Sequence, residues 1–208
     1  MIFRTAAIAL ASAFFAVQNV MTSALGVEYY DVRIETLGST STRLKDTYSA
    51  YKTDDPMAQA TIQWGMTIGN FATSGKSDAI AAWFYGYVHF DEVGDYKLCL
   101  ISDNGSRLWV DDTLIVDNDH HAATKKKCND ITVAVAPSVK FVEVDFFENT
   151  VGAELHLTWV KPSSSVEVAV PFLDAASPSL SPSSTPSSSP SSEPSISNSP
   201  TEYVSRTH

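Results

Sequence analysis

Side chains with oxygen atoms that suit a calcium ion or a sugar cluster near the middle of the chain. Asp103, Asn104, Asp111, Asp112 and Asp117 lie within fifteen positions of one another. Carboxylate and amide oxygens are the usual calcium ligands in proteins. Binding residues are concentrated on loops that a rigid scaffold holds in place. The first question is therefore which elements carry these five side chains.

The surrounding stretch, YKLCLISDNGSRLWVDDTLIVDN, contains three short apolar runs separated by two tight turns. Tyr96, Leu98 and Leu100 share one face, which indicates a strand with one buried side. Asn104-Gly105 is a strong hairpin signal because both residues tolerate positive φ angles. A pair of aspartates makes the second turn. The stretch predicts a β-meander with its polar side chains at the strand ends.

Alternation of this kind extends over most of the chain between Val27 and Leu173, where no segment shows sustained helical periodicity. Residues 39–75 lack clean alternation and predict long loops with a short strand near 61–64. The other predicted strands are 29–35, 79–90, 95–102, 106–111, 113–116, 131–136, 139–147 and 153–160. About 147 residues of this kind are enough for one domain with a full-sized core.

Both ends of the chain differ from this pattern. Residues 1–26 predict a secretory signal peptide, because Arg4 precedes an uncharged run that is too short for a typical membrane span. We expect cleavage after Gly26, and an uncleaved anchor is the alternative. Residues 174–208 are rich in Ser and Pro, with a proline at every fourth position from Pro178 to Pro194. They predict a disordered stalk, with neither a membrane span nor a lipid anchor.

The two cysteines fit a secreted protein. Cys99 and Cys128 are an even pair without metal-type spacing, and in an oxidising compartment they predict one disulfide. Two separate buried thiols are the alternative. A loop of this size gains about 3 to 4 kcal/mol from closure on the chain-entropy model.

Charge and motifs exclude two classes of function. The net charge of −10 argues against a nucleic-acid partner, because phosphate binding needs a basic face. No His-Glu-x-x-His, Gly-x-Ser-x-Gly or phosphate-cradling glycine loop is present. The sequence therefore predicts a binding protein and not an enzyme.

Seven short motifs occur in order between residues 81 and 159. They are AAWFYG (81–86), GDY (94–96), SDNGS (102–106), LWVD (108–111), DND (117–119), FFEN (146–149) and LTW (157–159). Their order and spacing resemble the protective-antigen domain, or PA-14 domain, a β-sandwich found in toxins, adhesins and glycosidases. The resemblance covers residues 27–173 and implies an all-β fold, an antiparallel β-sandwich or barrel.

The resemblance also implies a metal site. In sugar-binding members of this family, two consecutive aspartates hold a calcium ion that takes two sugar hydroxyls, and the matching pair here is Asp103-Asn104. An amide keeps the oxygen but removes a charge, so calcium affinity is expected to be lower. Asn149, on the loop before the last long strand, would complete the metal set. The alternative is that both loops are ordinary hairpin connections.

Further candidates for ligand binding lie on the same loops and near them. Thr150 and Gly152 follow Asn149, and a glycine lets the backbone approach a ligand. Trp109 is the candidate for stacking on a sugar ring. Asp117 and Asn118 begin an acidic and histidine-rich stretch that resembles a metal cluster, although a surface loop is the favoured interpretation.

Together these observations predict a secreted, carbohydrate-binding module at the cell surface or wall, with a glycan or cell-wall polysaccharide as its partner and calcium as its cofactor. Two alternatives remain open. One is a structural or protein-interaction module with the same fold and no sugar site. The other is an accessory domain of a larger secreted enzyme.

Overall fold

Alternating side chains fold the chain into two antiparallel sheets that pack face to face. The computed structural model describes residues 25–54, 57–150 and 152–173. All of them belong to one compact unit. In chain order the elements are β1 (Gly26–Tyr30), α1 (Leu44–Thr47), β2 (Lys52–Asp54), β3 (Gln63–Thr67), β4 (Ile80–Phe90), β5 (Gly94–Asp103), β6 (Ser106–Val110), β7 (Thr113–Asn118), β8 (Lys125–Val133), β9 (Ser138–Glu148), β10 (Ala153–Val160) and β11 (Glu167–Ala169).

The strand register brings four strand ends together. One sheet has the order β2-β1-β4-β9-β6-β7, and the other has the order β11-β10-β5-β8 with β3 also paired to β10. In the first sheet, Glu148 at the end of β9 pairs with Ile80 at the start of β4. In the second, Asp103 at the end of β5 pairs with Glu154 near the start of β10. The candidate residues of both sheets therefore lie at strand termini.

Side chains at alternate positions of the long strands fill the space between the sheets. Ala153, Leu155, Leu157 and Trp159 of β10 are each 1% exposed or less. They belong to the main apolar cluster, which includes Phe146 from the opposite sheet. Burying one large apolar side chain contributes about 1.5 to 3 kcal/mol. This core fixes the positions of the strand ends.

The long connection between β1 and β2 covers the outer face of the six-stranded sheet. Leu44 of α1 packs in a second apolar cluster with Phe147. Arg43 forms an ion pair with Glu143, which is 1% exposed. The Leu44 N–H donates to Asp145 Oδ2 at 3.0 Å. This connection therefore attaches to the sheet through polar contacts with β9.

The structure confirms the all-β antiparallel fold and corrects several boundaries. β1 ends at Tyr30 and does not continue to residue 35, and β8 begins at Lys125, six positions before the predicted 131–136 strand. The short strand is Gln63–Thr67, later than predicted, and α1 was not predicted. β7 continues to Asn118, so the last residues of that strand are not in a surface loop.

Cys99 and Cys128 form the predicted disulfide, which joins directly paired positions of β5 and β8. The predicted leader, except for its last two residues, and the Ser/Pro-rich stalk lie outside the described residues. Leu25 is fully buried and Gly26 begins β1, so the packed structure starts before the predicted boundary at Val27. No helix in the described part of the chain is long and apolar enough to span a membrane.

Candidate functional site

The β5–β6 turn and the end of β9 meet at one end of the sandwich. The Asn104 N–H donates to the Phe147 carbonyl at 3.1 Å, and the Phe147 N–H donates to the Gly105 carbonyl at 3.0 Å. The Asn149 N–H donates to Asn104 Oδ1 at 3.0 Å. The structure thus brings together Asn104 and Asn149, which sequence analysis had placed on two separate loops.

Asp103 lies beside this contact and is half-buried. The peptide bond between Asp103 and Asn104 is cis. Burial raises the pKa of the Asp103 carboxyl above its usual value, and the nearby Glu154 raises it further. The Thr124 N–H and His120 oppose that shift. Burial is thus the main reason that this carboxyl ionises less readily than a free aspartate.

Asn149 has an amide oxygen without a partner. The side chain is 3% exposed, and its Nδ2 lies 3.3 Å from His121 Nδ1. Its Oδ1 is buried and accepts no hydrogen bond from the described residues. Buried polar atoms nearly always have a hydrogen-bond partner, so this oxygen keeps an unused capacity to accept a hydrogen bond or to bind a cation.

Glu148 is a second buried polar group, and sequence analysis did not select it. It is 0% exposed, and the N–H groups of Thr150 and Gly152 interact with its carboxylate. Burial raises its pKa to about 7, and the charge of Asp103 raises it further. The Thr150 and Gly152 N–H groups oppose this shift only partly. The alternation along β9 could have identified Glu148 from the sequence. Residues 142, 144 and 146 face the core, and 148 is the next position on the same face.

Thr150 and Gly152 border an open cleft of about 430 Å³ next to these residues. Ile68, Gly69, Ser77 and Asp78 form the rest of its lining. Gly152 has a φ of 140°, and a Cβ atom built on it would lie 2.7 Å from Met66 Sδ. The φ angle favours glycine, and a side chain here would also have to displace the Met66 side chain of β3.

The structure corrects the assignment of Trp109 as a sugar-stacking residue. Trp109 is 2% exposed, and the Arg43 guanidinium lies 4.3 Å from the centre of its ring. Because the connection between β1 and β2 covers this face, no ligand can stack on the ring.

Asp117 and Asn118 also serve structural contacts. Arg107 Nε donates to Asp117 Oδ1 at 2.8 Å, and this ion pair lowers the Asp117 pKa although burial opposes it. Asn118 is 1% exposed, and its Nδ2 donates to Ser102 Oγ and to the Lys125 carbonyl. Both side chains therefore hold β7 in place, and a ligand role for them stays a prediction.

The oxygens at the end of the sandwich are of types that calcium takes as ligands. Calcium takes six to eight oxygen ligands, including carboxylates, amide oxygens and carbonyls. Asp103 provides a carboxylate, and Asn149 provides an oxygen that has no other partner. No group of three or more His, Cys, Asp and Glu side chains in the described residues could hold a metal by itself. A cation here would therefore depend on amide and main-chain oxygens as well.

Comparisons with known proteins agree with this fold. The model of the PA14 domain family matches residues 38–170. An anti-sigma factor domain-containing protein from Clostridium clariflavum has a TM-score of 0.58 at 22% identity, over 78% of this chain and 50% of that one. A PA14 sugar-binding domain from an RTX adhesin has a TM-score of 0.56 at 13% identity, over 73% of this chain and 99% of that one.

A third similar structure is the A domain of epithelial adhesin 6 from Candida glabrata, in complex with Galβ1-3GlcNAc. Its TM-score is 0.55 at 10% identity, over 73% of this chain and 84% of that one. The chain spans about half of the two anti-sigma factor domain-containing chains that it matches, 46% and 50%. No curated protein matches this chain in sequence. At these low identities the structural matches show the common fold.

Proposed function

The chain belongs to the PA14 domain family, which its model matches over residues 38–170, and from this premise we propose that it is a carbohydrate-binding module. The observation that carries the proposal is the Oδ1 of Asn149, which has no hydrogen-bond partner among the described residues and lies where two loops meet beside Asp103. The adjoining cleft is open and large enough for a sugar ring. The RTX adhesin and epithelial adhesin 6 domains, which bind sugars, support this use of the fold.

Calcium is the cofactor that this site would use. Asp103, Asn104 and Asn149 would hold the ion, and the bound ion would attract two sugar hydroxyls. Asn104 Oδ1 already accepts from the Asn149 N–H, so the two loops are held in place before an ion arrives. The Thr150 hydroxyl and the backbone at Gly152 border the cleft and would contact the sugar.

The charges around the cleft favour a neutral glycan. Asp78 lines the cleft, and no lysine or arginine is among the lining residues. Carboxylates repel anionic sugars such as uronates. A neutral cell-wall or cell-surface polysaccharide is therefore the partner class that we propose.

The proposed place of action is outside the cell. The disulfide between Cys99 and Cys128 is typical of secreted proteins. The predicted leader and the Ser/Pro-rich residues 174–208 support display of the module at a surface or wall. In this role the protein binds its partner and catalyses no reaction.

A glycan array with the secreted chain tests the proposal. Wild type should bind neutral glycans in millimolar calcium, and a chelator or Asp103→Ala should abolish the signal. Asp130→Ala is the matched control, because Asp130 lies on the exposed face of β8. Calcium should also raise the melting temperature of wild type and of the control but not that of Asp103→Ala. Glycan binding that survives Asp103→Ala would contradict the proposal.

A structural or protein-interaction module is the second candidate. The observation that favours it is Asn104, which supplies an amide where sugar-binding relatives are expected to have a second carboxylate. Equal melting curves of wild type with chelator and with calcium, together with no glycan signal, would favour this candidate.

A further inference from the structure

The cleft beside the candidate site has an apolar rim. Ile68 lines the cleft and is 86% exposed, more than any other large apolar side chain in the described residues. Met66, two positions earlier on β3, is 54% exposed. A Cβ atom on Gly152 would lie 2.7 Å from Met66 Sδ, so the Met66 side chain lies against this lining glycine. Two exposed apolar side chains therefore border one cleft, and clustered apolar exposure of this kind marks binding surfaces.

The other side chains of the lining are polar. Ser77 Oγ donates to Asp78 Oδ2 at 3.0 Å, and Thr150 adds a second hydroxyl to the lining. The Ala79 N–H donates to the Asn149 carbonyl at 3.3 Å, and this bond holds the segment with Ser77 and Asp78 against the loop that carries Thr150. A fully apolar ligand would remove water from these polar groups without replacing its hydrogen bonds. The cleft therefore suits a ligand with both hydroxyl groups and an aliphatic group.

The shape of the apolar side chains indicates which aliphatic group they contact. The flat face of a pyranose ring packs closely on a planar aromatic side chain, but none is among the described residues that line the cleft. Trp109 is covered by Arg43 and cannot take this role. Isoleucine is branched at Cβ and has no flat face, so it packs better against a small, compact group. The compact aliphatic group that neutral sugars carry is a methyl group, as in N-acetyl and 6-deoxy sugars.

We infer that the cleft selects neutral sugars that carry a methyl group and that Ile68 is the residue that determines this specificity. The methyl group packs against Ile68 and Met66, while the sugar hydroxyls bond to Ser77, Asp78 and Thr150. This inference rests on the proposed carbohydrate-binding function. It does not depend on which oxygens hold calcium, because the contacts that it names lie in the cleft itself.

The test compares two pairs of free sugars, titrated into the secreted chain in millimolar calcium and followed by ligand-observed NMR. N-acetylglucosamine has an acetamido group where glucose has a hydroxyl, and L-fucose has a methyl group where L-galactose has a hydroxymethyl group. Wild type should bind the methyl-bearing sugar of at least one pair about fourfold more tightly, the factor for burying one methyl group. The pair that shows this preference identifies the source of the methyl group.

Ile68→Ser removes the apolar contact, and Val135→Ser is the matched control. Val135 is 72% exposed in the connection between β8 and β9 and does not line the cleft. Ile68→Ser should bind the methyl-bearing sugar about fourfold more weakly and lose the preference, while its affinity for the other sugar stays within about twofold. Val135→Ser should keep the preference. Both melting temperatures should stay within about 2 °C of wild type, because exposed substitutions change stability little.

The outcomes separate the inference from the proposed function. If wild type binds neutral glycans without preferring the methyl-bearing sugar of either pair, the inference is wrong and carbohydrate binding stands. A preference that persists in Ile68→Ser, or that is lost equally in Val135→Ser, also overturns the inference, because Ile68 would then not determine it. If wild type binds no neutral glycan at all, the proposed function is refuted and the inference with it.

Discussion

Replacing Arg107 with lysine should destabilise the protein strongly, although the positive charge is kept. Arg107 is 2% exposed and lies on β6. Its guanidinium donates to Asp117 and Asp119 on one side, at 2.8 and 3.1 Å. On the other side it donates to the main-chain carbonyls of residues 37–39 at 2.8 to 3.2 Å. One side chain thereby joins β6, the end of β7 and the connection that covers the sheet.

The magnitude follows from the geometry of these five hydrogen bonds. A lysine ammonium is a single point with three donors, so it cannot reproduce the planar fork of a guanidinium. At least two of the five acceptors would lose their donor. A hydrogen bond to a charged group contributes about 1.5 to 3 kcal/mol. We therefore expect Arg107→Lys to lose about 3 kcal/mol or more of unfolding free energy.

Urea denaturation and thermal melting would measure this loss. For a domain of about 150 residues, 3 kcal/mol corresponds to a fall of roughly 6 to 12 °C in melting temperature. Arg33→Lys is the matched control, since the side chains of Arg33 and its partner Glu35 are 60% and 62% exposed. That substitution should change stability by less than about 0.5 kcal/mol. A loss below about 1 kcal/mol in Arg107→Lys would refute the structural role that we assign to Arg107.

Three further predictions concern other parts of the described chain. Replacing Cys99 and Cys128 together with serine should cost about 3.5 kcal/mol of unfolding free energy in urea, because the loop is 29 residues long. An unchanged midpoint would contradict this entropic role. Burial raises the Asp145 pKa to about 7, so the folded protein holds that proton more tightly than the unfolded chain, and stability should fall between about pH 4 and pH 7. Asp145→Asn should lessen that fall in urea titrations across this range, and an identical pH profile would exclude the explanation. Peptide mass spectrometry should find the sequon at Asn104 unmodified, because Asn104 is 9% exposed and its Nδ2 donates to the Ala122 carbonyl.

The strands could be predicted because their signal is local. Along β10, each buried residue alternates with a more polar one, and this period alone fixes which face meets the core. The Asn104-Gly105 turn and the disulfide pair were equally readable from neighbouring residues and residue counts. The strand ends were less accurate, as β8 shows, because edge residues such as Lys125 pair in the sheet without being buried.

The roles of the polar side chains could not be predicted in the same way, because they depend on distant contacts. Asp117 looked available for a ligand, yet its partner Arg107 is ten positions earlier and is itself bound to residues 37–39. Trp109 looked exposed by alternation, yet Arg43 covers its ring from 66 positions away. Alternation shows which way a side chain points from the sheet, but not what covers that face.

Glu148 shows which part of a buried residue's role the sequence can predict and which part it cannot. Its position on the inward face of β9 was readable from the period of two, and an acid at such a place is unusual enough to suggest a function. The lack of a compensating base required the structure, because only the structure shows which charges surround it. These groups are the Thr150 and Gly152 N–H groups and the acidic side chains of Asp103 and Asp78.

The proposed site is held in place mainly by backbone hydrogen bonds, and this rigidity affects its affinity for calcium. Two main-chain hydrogen bonds fix the β5–β6 turn to Phe147, and a third bond joins Asn104 to Asn149. A ligand that meets groups already in position loses little free energy to ordering them. The affinity for calcium should therefore depend mostly on ligand charge and much less on loop closure. For that reason removing the charge of Asp103, with the fold intact, is the decisive perturbation of this site.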